Sequence, residues 1–245
     1  MSTTRKIVLG LVTVVVLVLA GSFAYTRLFD APDAFDTADL EERLDSTTPP
    51  DASSTTTGAE GSDTTAGADT TDAVDGSFDG DWAIATGSEV GYRVEETING
   101  FAVTANGRTS SVEGTITIEG TTVASGSFIV DMATIASDES RRDNQFRGRI
   151  MSTDEFPTAT FVLTAPIEFG STSATSASAT GDLTLRGVTL PVTFDVTTSV
   201  RDGRIGILGQ IPVTFADYGI PNPSFASIVT EDSGLLEFVL VLERA

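Results

Sequence analysis

The stretch Gly181–Val196, GDLTLRGVTLPVTFDV, decides the fold class. Apolar and polar residues alternate along Gly181 to Arg186 and again along Pro191 to Val200, as they do in half-buried β-strands. Arg186-Gly187 interrupts the alternation and is typical of a tight turn. The stretch therefore predicts two antiparallel strands joined as a hairpin.

The same alternation with a period of two recurs in the rest of the chain from Trp82 onward. Turn signals separate the segments, and no long amphipathic helical pattern occurs among them, which argues against a parallel sheet. About eight strands predict an all-β domain over residues 81–245, an up-and-down antiparallel barrel or, as the alternative, a two-sheet sandwich. The further strand segments are 90–95, 114–119, 126–131, 160–163, 206–215 and 235–242, and the further turn signals are Asn99-Gly100, Asn106-Gly107, Glu119-Gly120 and Asp202-Gly203.

The alternation also predicts which side chains point into the barrel. An eight-stranded barrel is wide enough to hold one small ligand among such side chains. The alternative is that the same side chains fill a dry core. The predicted lining residues of a ligand channel are Tyr92, Ile116, Ile118, Phe128, Val130, Phe161, Leu163, Leu183, Phe194, Val213, Phe215 and Phe238.

One long interruption of the strand pattern, Arg141–Phe161, carries an unusual density of charge. Its arginines could bind a phosphate or carboxylate at a channel mouth, because a guanidinium suits such groups with two hydrogen bonds. Alternatively they pair with acidic neighbours and hold this excursion against the barrel. The candidate mouth residues are Arg141, Arg142, Asn144, Gln145 and Arg147, with Tyr218 from a second break at Asp217–Pro223; the candidate acidic partners are Asp138, Asp143, Asp154 and Glu155.

The composition excludes several classes of function. The formal net charge of −21 argues against nucleic-acid binding. The chain has no His and no Cys, so zinc sites and catalytic groups built on them cannot form. The only lysine is Lys6, which excludes lysine chemistry in the barrel. We expect no enzyme, no metal site and no cofactor, apart from a bound lipid.

The N-terminus carries an uninterrupted apolar run at residues 7–25, IVLGLVTVVVLVLAGSFAY. As a helix this run would extend about 28 Å, close to the ~30 Å hydrocarbon core of a bilayer. Arg5 and Lys6 precede it and acidic residues follow, so the sequence predicts a membrane anchor over residues 1–29 with the later chain outside the cytoplasm. The alternative is a cleaved signal peptide and a secreted protein.

Residues 30–80 are acidic and rich in Thr, Ser and Gly. They offer little apolar area to offset the entropy of ordering, so the sequence predicts a disordered linker that lifts the domain off the membrane. Within it, residues 36–44 could form a short helical turn.

Three motifs resemble the YceI-like lipid (polyisoprenoid)-binding family: RRDNQFRG with STDEFPTATF, then GDLTLRGVTLPVTFDV, and IPVTFADYGI at Ile211–Ile220. The resemblance covers Trp82–Glu243. It implies an elongated, lipocalin-like barrel whose apolar channel takes an extended isoprenoid, quinone-type or other lipid, without catalysis, in the bacterial periplasm or outside the membrane. That family commonly has a His after the Arg-Asp pair, where this chain has Asn144 and Gln145, so a head-group preference is not implied.

Three functions of different classes follow from the sequence. The first is a membrane-anchored lipid-binding domain that stores, sequesters or carries an isoprenoid-type lipid. The second is a cell-envelope interaction or structural domain with a filled barrel. The third is a carboxylate-dependent hydrolase built on Asp138, Asp143 and Asp154. The sequence leaves open the identity of the lipid and the oligomeric state, a dimer being one option.

Overall fold

The computed structural model describes residues 31–45, 78–168 and 175–245. The predicted anchor at residues 1–29 and residues 46–77 of the predicted linker lie outside these ranges. Within them, no helix is both long and apolar enough to cross a membrane. The strands are β1 (Gly80–Ile84), β2 (Glu89–Ile98), β3 (Phe101–Thr109), β4 (Val112–Glu119), β5 (Thr122–Asp131), β6 (Thr158–Leu163), β7 (Ile167–Glu168), β8 (Thr175–Leu185), β9 (Val188–Arg201), β10 (Arg204–Thr214), β11 (Ile228–Thr230) and β12 (Ser233–Arg244).

Eight of these strands close a barrel. The hydrogen-bonded order is β1-β4-β5-β6-β8-β9-β10-β12, and β12 pairs back to β1, all antiparallel. The prediction of an eight-stranded antiparallel barrel is therefore confirmed. The hairpin predicted at Gly181–Val196 is the β8–β9 pair, in which Leu185 lies opposite Val188.

The two ends of the barrel differ. At one end β1 fits between β4 and β12 and seals the wall, so we call it the closed end. At the other end β12 pairs instead with β2, which continues into the β2–β3 hairpin and also pairs with β11. No pairing joins β3 to β4 in the described chain. The wall splays there, and we call this the open end.

The sequence predicted a turn at Asn106-Gly107, and this prediction is wrong. Both residues lie inside β3, opposite Arg93 and Tyr92 of β2. Glycine is needed there because a Cβ on Gly107 would lie 2.7 Å from the Tyr92 ring. The sequence pattern missed β3 for this reason, although Asn99-Gly100 does form the β2–β3 turn, with φ of 52° and 86°.

A segment ahead of the barrel packs on its outer wall. Helix α1 (Thr37–Asp45) lies against β9, β10 and β12, and residues 31–36 continue the contact along β2 and β3. Leu40 and Leu44 are buried over Gly206 of β10, where an added Cβ would lie 2.5 Å from Leu40. We call residues 31–45 the strap.

The strap differs from the sequence expectation for residues 30–80. Its helix occurs where a helical turn was predicted, yet residues 31–45 pack on the barrel rather than form part of a disordered linker. The physical reason is that the strap has three apolar side chains, Phe35, Leu40 and Leu44. They are buried against the barrel, whose outer wall has an apolar patch at Val239 and Leu208. The composition of residues 30–80 as a whole is mostly polar, so it does not reveal these three apolar residues.

A buried ion-pair network fixes the N-terminal part of the strap. The carboxylate of Glu237 in β12 is fully buried and accepts from Arg93 at 3.3 Å and from Arg108 at 2.8 Å. The same two arginines donate to the carbonyls of Pro32 and Asp33, and the guanidinium of Arg108 lies 3.8 Å from the centroid of the Phe35 ring. The network therefore ties β2, β3, β12 and the strap together.

We expect Glu237→Gln to destabilise the protein by about 3–5 kcal/mol, because it leaves two largely buried guanidinium groups without a counter-charge. Asp138→Asn is the matched control, since it removes the partner of Arg142 in an exposed pair and should cost far less. Urea unfolding followed by the fluorescence of Trp82, the only tryptophan, measures both. Equal losses for the two variants would contradict a structural role for the network.

Candidate ligand-binding site

The open half of the barrel contains a cavity of about 660 Å³. Its wall is mainly apolar and is built from the inward faces of β2, β5, β8, β10 and β12, with Val90, Val94, Val130, Val213 and Leu236 among the lining residues. The inward face of β2 follows the alternation of a strand, because every second residue from Val90 to Ile98 reaches the cavity.

Four phenylalanine rings form the floor of the cavity. Phe128, Phe161, Phe194 and Phe238 contact one another in a closed cycle, with ring centroids 5.3 to 5.9 Å apart. Below this phenylalanine floor a second cavity of only about 70 Å³ remains, lined by apolar residues of the closed end. The floor thus separates a hollow half of the barrel from a packed half.

Two glycines make room for the floor. A Cβ on Gly181 of β8 would lie 2.4 Å from the ring of Phe161, and a Cβ on Gly209 of β10 would lie 2.4 Å from the ring of Phe238. A glycine strand position thus separates Phe161 from Phe194 and another separates Phe194 from Phe238, which lets four rings fill one cross-section.

The excursion between β5 and β6 forms the roof. After Asp131 the chain makes a short 3₁₀ turn at Met132–Thr134, helix α2 (Ser140–Gln145) and a π-helical turn at Phe146–Ile150. Phe146 is buried and stacks on Tyr92, with ring centroids 5.1 Å apart and an interplanar angle of 7°. The roof therefore closes much of the open end with an apolar inner face.

Polar groups border the cavity mouth between the roof and the β2–β3 hairpin. Arg141, Arg142 and Gln145 of α2 line the cavity, as do Asp138 and Glu139 just before the helix. The guanidinium of Arg142 pairs with Asp138. Arg141 is exposed, and no ion pair of its side chain occurs among the described residues. Its guanidinium is thus available to an anionic group at the mouth.

The predicted lining residues fall into three groups in the structure. Tyr92, Phe128, Val130, Leu183, Val213, Phe215 and Phe238 line the large cavity. Ile116, Phe161, Leu163 and Phe194 line only the small cavity below the floor. Ile118 lines neither cavity and packs in the core of the closed end. The alternation located the inward face, but it could not show where along the barrel the interior is filled.

The predicted mouth residues also divide. Arg141, Arg142 and Gln145 line the cavity, whereas Asn144 and Arg147 do not and hydrogen-bond to each other on the outer side of the roof. Tyr218 does not lie at the mouth. It is only 3% exposed in the 3₁₀ turn at Phe215–Tyr218 that follows β10, and it packs in the hydrophobic core.

The sequence analysis missed several cavity residues because they lie outside the strands. Ile135, Phe146, Ile150 and Met151 belong to the roof and present apolar side chains to the cavity. A possible signal was the apolar spacing of Phe146, Ile150 and Met151 within the charged excursion. Ile98, Phe225 and Ile228 border the mouth on the opposite side.

The acidic residues of the excursion do not form a catalytic pair. Asp143 accepts from the backbone N–H and the hydroxyl of Ser137 at 2.8 and 2.6 Å, and Asp138 pairs with Arg142. Asp154 is exposed and does not line either cavity. No cluster of acidic residues suited to a metal ion occurs within the described ranges. The geometry therefore gives no support to a two-carboxylate hydrolase.

An eight-stranded antiparallel barrel with one apolar cavity that opens at one end defines a class of ligand-holding β-barrels. A family model described as the YceI-like domain matches residues 82–242. The chain belongs to the YceI-like domain family.

Two curated relatives, both described as UPF0312 protein, match part of the chain. The protein of Shewanella denitrificans is 32% identical over 124 residues, which cover 46% of this chain and 63% of the relative. The protein of Vibrio campbellii is 32% identical over 109 residues, which cover 41% of this chain and 56% of the relative. The chain thus spans less than two thirds of the length of either relative.

Solved structures share the fold. BcnA of Burkholderia cenocepacia superposes with a TM-score of 0.52 at 22% identity, covering 63% of this chain and 95% of that one. A polyisoprenoid binding domain from Saccharophagus degradans, implicated in plant cell wall breakdown, superposes with a TM-score of 0.54 at 16% identity, covering 67% and 98%. The strap, at residues 31–45, precedes the residues that the family model matches.

Burial in the cavity wall raises the pKa of Tyr92 to about 12, from an ordinary value of 10.0. The neutral phenol is thus favoured in the folded protein, so its contribution to stability is complete below pH 10 and is lost as the pH rises towards 12. We expect one tyrosine to ionise near pH 12 in an ultraviolet absorbance titration of the native protein. Tyr92→Phe should remove that transition and flatten the loss of stability between pH 10 and 12; ionisation of all tyrosines near pH 10 in the folded state would contradict this assignment.

Proposed function

We propose that this chain binds one isoprenoid-type lipid outside the cytoplasm, with the apolar part of the lipid in the 660 Å³ cavity and its polar end at the mouth. The observation that carries the proposal is the cavity itself, which is apolar, closed below by four phenylalanines and open beside an arginine. Storage, sequestration or transport of the lipid needs no catalytic group.

The size of the cavity suits one ligand. Pockets of about 300–1,000 Å³ bury most of the surface of a drug-sized molecule, and the cavity lies inside that range. Along β2 the wall runs from Val90, which lies opposite Phe238 of the floor, to Ile98 at the mouth. The eight residue-to-residue steps along this strand correspond to about 26 Å. The site is thus deep and narrow, which favours an extended chain over a compact ligand.

The driving force would be burial of hydrocarbon. Each CH₂ group removed from water contributes about 0.8 kcal/mol, so a chain that fills the cavity gains affinity steadily with length until it meets the phenylalanine floor. Family membership supports the same ligand class, as does the structural likeness to a polyisoprenoid binding domain. A quinone-type lipid with an isoprenoid tail fits the same reasoning.

The alternative of an envelope interaction domain with a filled barrel accounts for only half of the molecule. The closed end is packed as that hypothesis requires, and its remaining cavity of about 70 Å³ is too small for a lipid. The open end is hollow. A purely structural barrel gains nothing from a hollow half, because unfilled apolar space forfeits packing contacts.

We further propose that residues 7–25 anchor the chain in the cytoplasmic membrane, with the barrel on the outer side. The proposal rests on the length of the apolar run and on Arg5 and Lys6 before it. This location would give the cavity direct access to membrane lipids. Secretion after cleavage remains the alternative, and the mass of the mature protein distinguishes the two.

Val94→Trp should abolish co-purification of a lipid, because Val94 lines the cavity and an indole would occupy much of its width. Thr97→Trp is the matched control, since Thr97 is exposed on the other face of the same strand. Native mass spectrometry of gently purified protein, with extraction of the bound lipid, provides the measurement. Consistently ligand-free wild-type protein that takes up neither a polyprenol nor a quinone would refute the proposal.

Arg141→Gln should weaken binding of a polyprenyl phosphate by about tenfold or more, because a hydrogen bond to a charged group contributes about 1.5–3 kcal/mol. Binding of the uncharged polyprenol should change little. Arg147→Gln is the control, because Arg147 does not line the cavity and donates to Asn144 instead. Equal effects of Arg141→Gln on both ligands would show that the guanidinium does not contact the polar end.

A further inference from the structure

Among the described residues, the two most exposed large apolar side chains lie beside the cavity mouth. Phe101 at the tip of the β2–β3 hairpin is 70% exposed, and Phe225 in the loop before β11 is 69% exposed. Phe225 lines the cavity entrance together with Ile98 and Ile228. Large aromatic side chains left in water at the edge of a binding site mark an interaction surface.

The strand register places these side chains on one rim. Ile98 lies opposite Phe101 across the hairpin and opposite Ile228 in β11, and directly paired residues project from the same face of a sheet. Phe225 bridges to Ile228 through backbone hydrogen bonds of 3.0 Å in both directions. We call Ile98, Phe101, Phe225 and Ile228 the apolar rim.

The strap shows which way the preceding chain runs. Its C-terminal residue, Asp45, pairs with Arg201 at the closed end, and its middle packs on Gly206. Its first residues contact Arg93 and Arg108, farther towards the open end. Followed backwards from Asp45, the chain therefore advances along the barrel wall towards the mouth.

The length of chain before the strap limits where a membrane can lie. Only Thr26–Asp30 connect the apolar run to the strap, and five extended residues reach at most about 18 Å. From Arg93, which holds Pro32, to Ile98 in the rim is also five residues, or about 17 Å of strand. The rim therefore lies within the distance that the connection allows.

We propose that the barrel docks mouth-down, through the apolar rim, on the lipid bilayer that contains residues 7–25. The inference rests on the membrane location and lipid ligand proposed above. Aromatic rings at the rim enter the interfacial layer, as Phe and Trp do in interfacial segments. A lipid then passes from bilayer to cavity along a continuous apolar surface and never crosses water.

The roof supplies the second side of the contact. The guanidinium of Arg149 donates to the carbonyl of Pro223 at 2.8 Å and so joins the roof to the loop that carries Phe225. Arg141 lines the cavity on this side, and Arg149 is exposed in the same roof segment. Their charge complements lipid phosphates, although the chain as a whole is strongly acidic.

The absence of cysteine from the sequence allows a direct test. Ala102→Cys places a fluorescent label beside the rim at an exposed position, and Thr121→Cys places one at the β4–β5 turn of the closed end. The full chain is reconstituted into vesicles of phosphatidylcholine and phosphatidylglycerol, with and without nitroxide-labelled lipid. We expect nitroxide quenching to be several-fold greater at position 102 than at position 121.

A double variant isolates the rim. Phe101→Ser with Phe225→Ser should reduce quenching at position 102 to the level at position 121. Ile129→Ser with Val162→Ser is the matched control, because these residues are 42% and 48% exposed on the wall and should leave quenching unchanged. Uptake of a polyprenol by the detergent-solubilised chain is measured separately, so a failure of ligand binding is distinguished from a failure of docking.

Each other outcome overturns the proposal. Equal quenching at positions 102 and 121 in a chain that floats with the vesicles would show an anchored barrel that does not dock. A blue-shifted label at position 102 without nitroxide quenching would show that a second copy or another protein covers the rim. A chain that does not float with the vesicles would contradict both the proposed anchor and the proposed docking.

Discussion

The cycle of four phenylalanine rings is the interaction on which the rest of this structure depends. A closed barrel of eight strands has a fixed cross-section, and Phe128, Phe161, Phe194 and Phe238 fill it at one level. Below that level the interior is packed and contributes the burial that stabilises the fold; above it the wall surrounds open space. One half of the barrel thus stabilises the fold, and the other half holds the cavity. The glycines at positions 181 and 209 leave the space that the four rings between these halves need.

The hollow half lacks core packing and needs support from outside. The strap and the buried carboxylate of Glu237 provide it, since they join β2, β3 and β12 where the barrel wall begins to splay. The roof provides support from above through the stacked rings of Tyr92 and Phe146. A cavity wall fixed from both sides can remain open without collapse, which keeps the site formed before a ligand arrives.

Much of the fold could be predicted from the sequence, because period-two alternation and turn signals are local. The β8–β9 hairpin illustrates this, since both strands and the Arg186-Gly187 turn follow directly from the residues. The inside-or-outside assignment of residues such as Val213 is equally local. By contrast, Asn106-Gly107 imitates a turn but lies within β3, because the requirement for glycine comes from the Tyr92 ring on the neighbouring strand.

The features that could not be predicted depend on contacts between distant residues. The floor needs four rings from four strands at one height, and the strap needs an apolar patch centred on Val239. The partner of Arg149 is equally distant in sequence, since its guanidinium donates to the carbonyl of Pro223. Of the suggested local partners, Asp138 does pair with Arg142, whereas Asp143 accepts from Ser137. Periodicity reports the direction of a side chain but not its height along the barrel.

Because the strap packs on the barrel, the length of the acidic segment that follows it does not set the distance between the barrel and the N-terminus. Residues 46–77 begin after Asp45, which pairs with Arg201, and end before Phe78, whose carbonyl accepts from the Trp82 indole; both attachment points lie at the closed end. The described chain therefore departs at Asp45 and resumes at Phe78 at the same end of the barrel. The length of the acidic segment can vary by insertion or deletion at an entropic cost that grows only logarithmically, with no effect on the distance between the barrel and whatever holds the N-terminus.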